Sequence, residues 1–164
     1  MDPASQQGGD TAAAGVIMRP PFLYLACLIL WLVLDHMMPL PLTLPQTALV
    51  RWTAGDGLIL LGVAIFAAGV RNFSSAATPV PTNKPTRALV TTGAHGWSRN
   101  PIYLGLFLIY VGIGIAARSP STLILTLPLA ITIRYGVVAR EEAYLERRFG
   151  DTYRDYQARV RRWL

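Results

Sequence analysis

The chain has 164 residues, 52% of them hydrophobic and only 15% charged, with a formal net charge of +6. That balance excludes an ordinary small soluble domain and fits a polytopic membrane protein of one domain. One cysteine, Cys27, lies inside an apolar run, so neither a disulfide framework nor a zinc cluster of cysteines can form, and the residue reads as a small packing group.

Residues 1–18 are small, polar and Gly-rich and read as a disordered lead. They differ from a typical signal peptide: Asp2 and Asp10 stand where a basic stretch belongs, and no small-residue cleavage site follows the apolar run. A single domain over 19–164 follows. Its first span is expected at about 20–38, opened by Pro20 and Pro21 and stopped by Pro39 and Pro41, with Asp35 and His36 in the last turn. The second centres on the uncharged stretch between Asp56 and Arg71. At ~1.5 Å per residue this stretch reaches only roughly 21 Å, short of a ~30 Å hydrocarbon core. Flanking residues extend the span to about 55–75. Thr78 to Thr82, with Pro85, reads as a stiff extended loop. The third span is 101–117, and the fourth is 119–139, interrupted by Pro128 and Arg134.

The cations sort by side. The 71–100 segment holds Arg71, Lys84, Arg87 and Arg99, and the tail 140–164 holds seven more arginines. Arg51 and Arg118 are alone in the other two connections. The positive-inside rule therefore puts both termini and the 71–100 segment in the cytoplasm and directs the net charge to topology rather than to nucleic acid. In the tail, Phe149, Tyr153, Tyr156, Val160 and Trp163 recur at helical spacing opposite a basic face, with Gly150 ending one helix and Asp151 placed to N-cap the next. The expected architecture is an all-α membrane protein. Four transmembrane helices are joined by a C-terminal amphipathic helical region that lies on the cytoplasmic membrane face or folds over the spans.

Four features invite chemistry. Gly112 to Ala117 mimics part of a dinucleotide fingerprint, but no strand can precede it inside a membrane helix, so its small residues read as helix packing. Arg134 is a cation within an apolar span, and helical spacing puts it on one face with Val138 and Glu141. Glu141 and Glu142 are adjacent carboxylates on the basic side, where a carboxylate can accept two O–H bonds from a ribose diol. Finally, TTGAHGWSRNPIYLG, Thr91 to Gly105, offers a glycine turn, the neutral groups of His95 and Asn100, and the fixed cation of Arg99. Pro101 opens the following helix and Trp97 and Tyr103 are interface aromatics, so Arg99 and Asn100 are what the boundary role leaves unexplained.

Arg99-Asn100-Pro101-Ile102-Tyr103, a hydrophobic span pair, and then Glu141-Glu142 resemble the Arg-His-Pro-x-Tyr, hydrophobic, Glu-Glu signature of the isoprenylcysteine carboxyl methyltransferase family; phosphatidylethanolamine methyltransferases are similar. The resemblance covers about residues 85–164. It implies an integral-membrane methyltransferase that uses S-adenosylmethionine at the cytoplasmic face of a membrane, expected to be a bacterial inner membrane. Carried over by position, Gly93, Ala94, His95, Asn100, Pro101, Tyr103 and Leu104 would contact the cofactor. Glu141 or Glu142 would take its ribose or amino group, and Arg99 with Arg134 or Arg140 would hold the acceptor or shape the site. Asn100 replaces the usual His, and His95 stands where Tyr is common. The implied partners are membrane lipids and a lipid-like or isoprenoid-bearing acceptor with a carboxylate, amine or thiol. Two alternatives remain open: an NADPH-dependent membrane reductase of the sterol or enone type, and a non-enzymatic membrane adaptor.

Overall fold

The computed structural model describes residues 20–38, 47–75 and 88–164. The expected lead, the helix stop at Pro39 and Pro41 and the stiff loop at 78–82 lie outside them. Among the described residues every regular element is helical, with no strand. Helix α1 is Pro20–Met37 and begins at the proline pair. Helix α2 starts at Ala48–Val50, passes through a π-helical turn, Arg51–Asp56, and continues as Gly57–Ser75. Helix α3 is Pro101–Ala116. Helix α4 joins Pro120–Ile131, a second π-helical stretch, Thr132–Val138, and Ala139–Phe149. Helix α5 is Asp151–Arg159.

Three of these helices, α1, α2 and α4, are long and apolar enough to cross a membrane; α3 is equally apolar but shorter. At ~1.5 Å per residue its 16 residues span roughly 24 Å. Helix α2 is longer than the expected 55–75 stretch, because residues 48–56 add turns before it. Pro128 does not interrupt α4. The ring removes one backbone donor, but the helix runs on past it, and one turn later Thr132 Oγ1 donates to Pro128 O at 2.8 Å.

Helix α3 is the centre of the bundle. It packs along α2 on one side and against α4 and α1 on the other. The α2–α3 contact runs through small residues. A Cβ on Gly105 would come 2.7 Å from Gly62 O and Phe66 N, and one on Gly112 would come 2.7 Å from Gly55 O. Only bare backbones allow this approach, so the Gly112 motif is a helix-packing surface within the chain. Tyr24, Tyr103, Tyr110, Leu129, Ile133, Val137 and Val138 form the core between α1, α3 and α4.

Each end of the bundle is tied by polar bonds. At one end Tyr24 Oη donates to Tyr103 O at 3.1 Å. At the other, Trp31 Nε1 donates to Ser119 Oγ at 2.7 Å and to Asp35 at 3.0 Å, and Ser119 Oγ also reaches Asp35 at 3.3 Å. Asp35, in the last turn of α1, is thus held by the α3–α4 turn. In that turn Arg118 adopts φ +57, a left-handed conformation that costs a non-glycine residue about 1–2 kcal/mol. Arg118→Gly is expected to raise unfolding stability by about 0.5–1 kcal/mol, the relieved strain exceeding glycine's greater chain entropy. Denaturant titration in detergent checks this, and an unchanged or lowered midpoint contradicts it.

Helix α5 does not begin as the sequence suggests. Gly150, at φ +53, occupies the cap position. Asp151 is the first helical residue, and its carboxylate pairs with Arg154 one turn on, at 2.5 Å, rather than with the backbone. Tyr153, Tyr156 and Val160 are buried together with Leu89, Leu145 and Phe149. The chain leaves the helix at Val160, so Trp163 departs from the expected stripe and packs instead on the core of the spans.

Candidate functional site

The site is built where the segment before α3 meets the end of α4 and the chain's last residues. Thr92 is extended, Gly93 turns at φ +58, and Gly93–Gly96 closes a short 3₁₀ turn in which His95 N donates to Thr92 O at 3.1 Å. Ala94 and His95 are buried while Gly93 and Gly96 are exposed. Ser98 N then returns to Ala94 O at 3.2 Å, and Pro101 starts α3.

Asn100 stands at the cap position of α3 but does not cap it. Its Nδ2 donates to Arg162 O at 3.0 Å. Arg99 N donates to Arg161 O at 3.0 Å, and Ser98 Oγ reaches Arg162 O at 3.5 Å. Residues 161–162 therefore form a strap along 98–100, and Asn100 holds it.

The strap also supplies a side chain. Arg162 donates to both oxygens of Glu142, from Nε at 2.9 and 3.1 Å and from Nη2 at 2.6 Å. Arg99 Nη2 approaches the same carboxylate at 3.3 Å. Two guanidinium groups around one carboxylate leave the trio with an excess positive charge. Glu142 raises the affinity of the Arg162 guanidinium for its proton. Arg99 Nε is buried without a hydrogen-bond partner.

Glu141 points to a different neighbour. One of its oxygens accepts from Tyr103 Oη at 2.7 Å, joining α4 to the first turn of α3. Leu104 N, one residue on, donates to Asn100 O at 3.0 Å. Arg134 does not line up with Glu141. The π-helical stretch puts an extra residue into the turn, so positions seven apart no longer stack, and the Arg134 guanidinium lies 5.3 Å from the Tyr135 ring centre. Arg140 is exposed at the start of the last section of α4.

The structure thus gathers Arg99, Asn100, Tyr103, Glu141 and Glu142 at one end of the bundle, with the Gly93–Gly96 turn adjoining, and leaves Arg134 beside Tyr135. Sequence reasoning missed Arg162 and Asn72 here. Arg162 is one of seven tail arginines; the Val-x-Arg spacing from Val160 to Arg162, which resembles the family's ending, marks it without giving it a role. Asn72 is a lone amide near the end of an apolar helix, a signal that was readable; its Nδ2 donates to Thr92 O at 2.8 Å.

His95 is closed in by this packing. Burial pushes its imidazole down to about 4 from the usual 6.5, so the ring is neutral near neutral pH. The unfolded chain takes up this proton near pH 6.5, the folded one only near 4. Stability is therefore level above that window and falls as pH drops through it. Thermal midpoints measured across pH 4 to 7 are expected to fall toward acid, and His95→Gln to flatten that part of the profile. A profile that the substitution leaves unchanged contradicts the assignment.

With this geometry in hand, the comparisons give the class of the protein. The phospholipid methyltransferase family matches residues 50–152. The chain belongs to that family. It is 30% identical over 126 residues to a protein-S-isoprenylcysteine O-methyltransferase of Rattus norvegicus, covering 71% of this chain and 42% of the rat protein. The Mus musculus protein of the same name is 29% identical over the same length and coverage. An uncharacterised protein of Haemophilus influenzae is 38% identical over 63 residues, which cover 38% of this chain and all of that protein. The chain spans 42% of the length of the rat and mouse proteins.

Proposed function

We propose that this protein transfers a methyl group from S-adenosylmethionine to a lipid-like acceptor at the cytoplasmic surface of a membrane. In this reading α3 is a fourth span, reached by local thinning of the bilayer or by its aromatic and polar ends. The cationic end of the bundle faces the cytoplasm, as do both termini. The observation that carries the proposal is the meeting of the two motifs: Tyr103 bonds Glu141 at 2.7 Å and Arg99 reaches Glu142 at 3.3 Å.

The residues present fit such a ligand. Arg99 Nε is a buried donor without a partner, Glu141 spends one oxygen on Tyr103 and keeps the other for a ligand hydroxyl, and the Gly93–Gly96 turn brings backbone close to the same end. The bound cofactor supplies an electrophilic methyl on a sulfonium centre, and transfer to oxygen, nitrogen or sulfur asks chiefly for in-line approach. The chain's task is positioning. Glu141 is the residue we assign to the ribose diol, and Glu142, saturated by Arg99 and Arg162, holds the site's shape. Gly93, Ala94, His95, Asn100, Pro101, Tyr103 and Leu104 form the remaining cofactor wall, Asn100 by pinning the strap. Arg99 is the residue we assign to an acceptor, with Arg140 or Arg134 at the rim. A lipid acceptor enters sideways from the bilayer and the polar cofactor enters from water, which an interfacial site permits.

Calorimetric titration of the detergent-purified protein with S-adenosylmethionine, S-adenosylhomocysteine and NADPH tests this. Binding of the first two is expected. Binding of NADPH alone would favour a reductase, and binding of none would favour an adaptor.

A further inference from the structure

We propose that Asn72, near the end of α2, is a positioning residue of the site: its amide holds the His95 imidazole as the Nε2–H tautomer, so that Nε2 donates to an acceptor oxygen on the methionine portion of the cofactor. The tautomer half stands on the geometry alone, and the ligand half rests on the reading of His95 as a cofactor contact.

The orientation of the amide follows from its partners. Asn72 Nδ2 lies 2.8 Å from Thr92 O, and a carbonyl only accepts, so the nitrogen and not the oxygen faces that way. The amide nitrogen carries a second N–H, and it lies 3.5 Å from His95 Nδ1. With that donor facing it, Nδ1 is the acceptor of this long contact and carries no proton of its own. A neutral imidazole has one N–H, which is then on Nε2.

The surroundings keep the ring in place. Phe73, the next residue of α2, meets it edge to face with centres 4.9 Å apart. Tyr156 Oη donates to His95 O at 2.7 Å, and only 4% of the residue is exposed. A separate observation concerns Gly93: a Cβ there would fall 2.5 Å from Asn72 Nδ2, so the bare backbone of the turn leaves the place that Asn72 fills. The proton is therefore on Nε2, the ring nitrogen that the Asn72 amide does not face.

A residue that only tied off the Thr92 carbonyl would not set a tautomer, and this separates the proposal from a structural role. The chain has two histidines, and the other, His36, is exposed. In full-length protein labelled with nitrogen-15 histidine, with His36→Gln for assignment, long-range proton–nitrogen spectra near neutral pH read the His95 tautomer directly. The wild-type protein is expected to show Nε2–H. Asn72→Leu, which has no donor, is expected to mix the two tautomers and to bind S-adenosylhomocysteine about fivefold more weakly, the effect of one hydrogen bond. Asn72→Asp, whose carboxylate only accepts, is expected to move the proton to Nδ1. A wild-type Nδ1–H form, or a tautomer that neither substitution alters, overturns the proposal. A changed tautomer with unchanged ligand affinity overturns its ligand half. If the wild-type protein binds no S-adenosylhomocysteine, the functional reading falls, and the tautomer of the free protein still decides whether Asn72 sets the ring. The wild-type spectrum needs no variant, so a misfolded substitution leaves that criterion in force.

Discussion

Glu142→Ala is expected to destabilise the protein by about 2–4 kcal/mol and to abolish cofactor binding. The carboxylate is held on both oxygens by Arg162 and approached by Arg99, whose side chain is 11% exposed. Removing one partner from a buried ion pair costs about 3–5 kcal/mol because the other charge is left without compensation. Arg162 keeps 31% of its side chain in solvent, which lowers the expected figure. Arg162→Ala is expected to cost less than Glu142→Ala, since Arg99 still faces the carboxylate, and the double substitution less than the sum of the two. Glu142→Gln keeps the shape but not the charge and is expected to fall between. Thermal unfolding in detergent, paired with S-adenosylhomocysteine titration, reads both effects. Glu142→Ala with wild-type stability would show that the trio does not hold the loop, the last span and the strap together.

The second large effect is expected at the helix pair that carries the site. Gly105 lies two residues beyond Tyr103 in α3, and a Cβ on it would meet backbone atoms of Gly62 and Phe66 at 2.7 Å. Backbone cannot rotate away as a side chain can, so α2 and α3 must separate. Gly105→Ala is expected to cost about 2–3 kcal/mol, toward the upper end of overpacking effects, and Gly105→Leu to prevent the folded state from accumulating. Because α2 brings Asn72 to Thr92 and α3 carries Tyr103 to Glu141, ligand affinity is expected to fall together with stability. Gly57→Ala is the control. It lies in α2, the partner helix, nothing stands within 4 Å of its added Cβ, and alanine is the better helix former, so a gain of about 0.5–1 kcal/mol is expected. Equal effects at the two glycines would contradict the packing account.

Much of this arrangement is readable before any coordinates. Pro20 and Pro101 mark their helix starts because a residue without an N–H suits a first turn. The small residues from Gly105 to Ala116 announce a close helix contact, although only the fold shows that Gly55 and Gly62 are their partners. The two motifs, Arg99 to Tyr103 and the Glu141–Glu142 pair, are visible as polar groups left over once the boundary role of their segments is accounted for. What periodicity does not encode is where the backbone departs from it. The π-helical stretch at Thr132–Val138 rotates everything after it, so a face drawn through Arg134 and Glu141 dissolves. The path of residues 160–164 is equally hidden. It depends on Asn100, Ser98 and Arg99 taking hold of two backbone carbonyls, a long-range pairing that no local pattern reports. For the same reason the replacement of a usual His by Asn100 acquires a physical meaning only in the fold, where the amide donates to Arg162 O.

Methyl transfer itself is the most direct measurement. Purified protein reconstituted in anionic lipid vesicles is supplied with S-adenosylmethionine tritiated on its methyl group, together with either an S-farnesylated cysteine derivative or the vesicle lipids alone as acceptor. The account predicts label in an organic-soluble product, lost in Glu141→Gln and in Glu142→Ala while Gly57→Ala retains it. No labelled product with either acceptor, from protein that also fails to bind S-adenosylhomocysteine, would contradict the account at its centre.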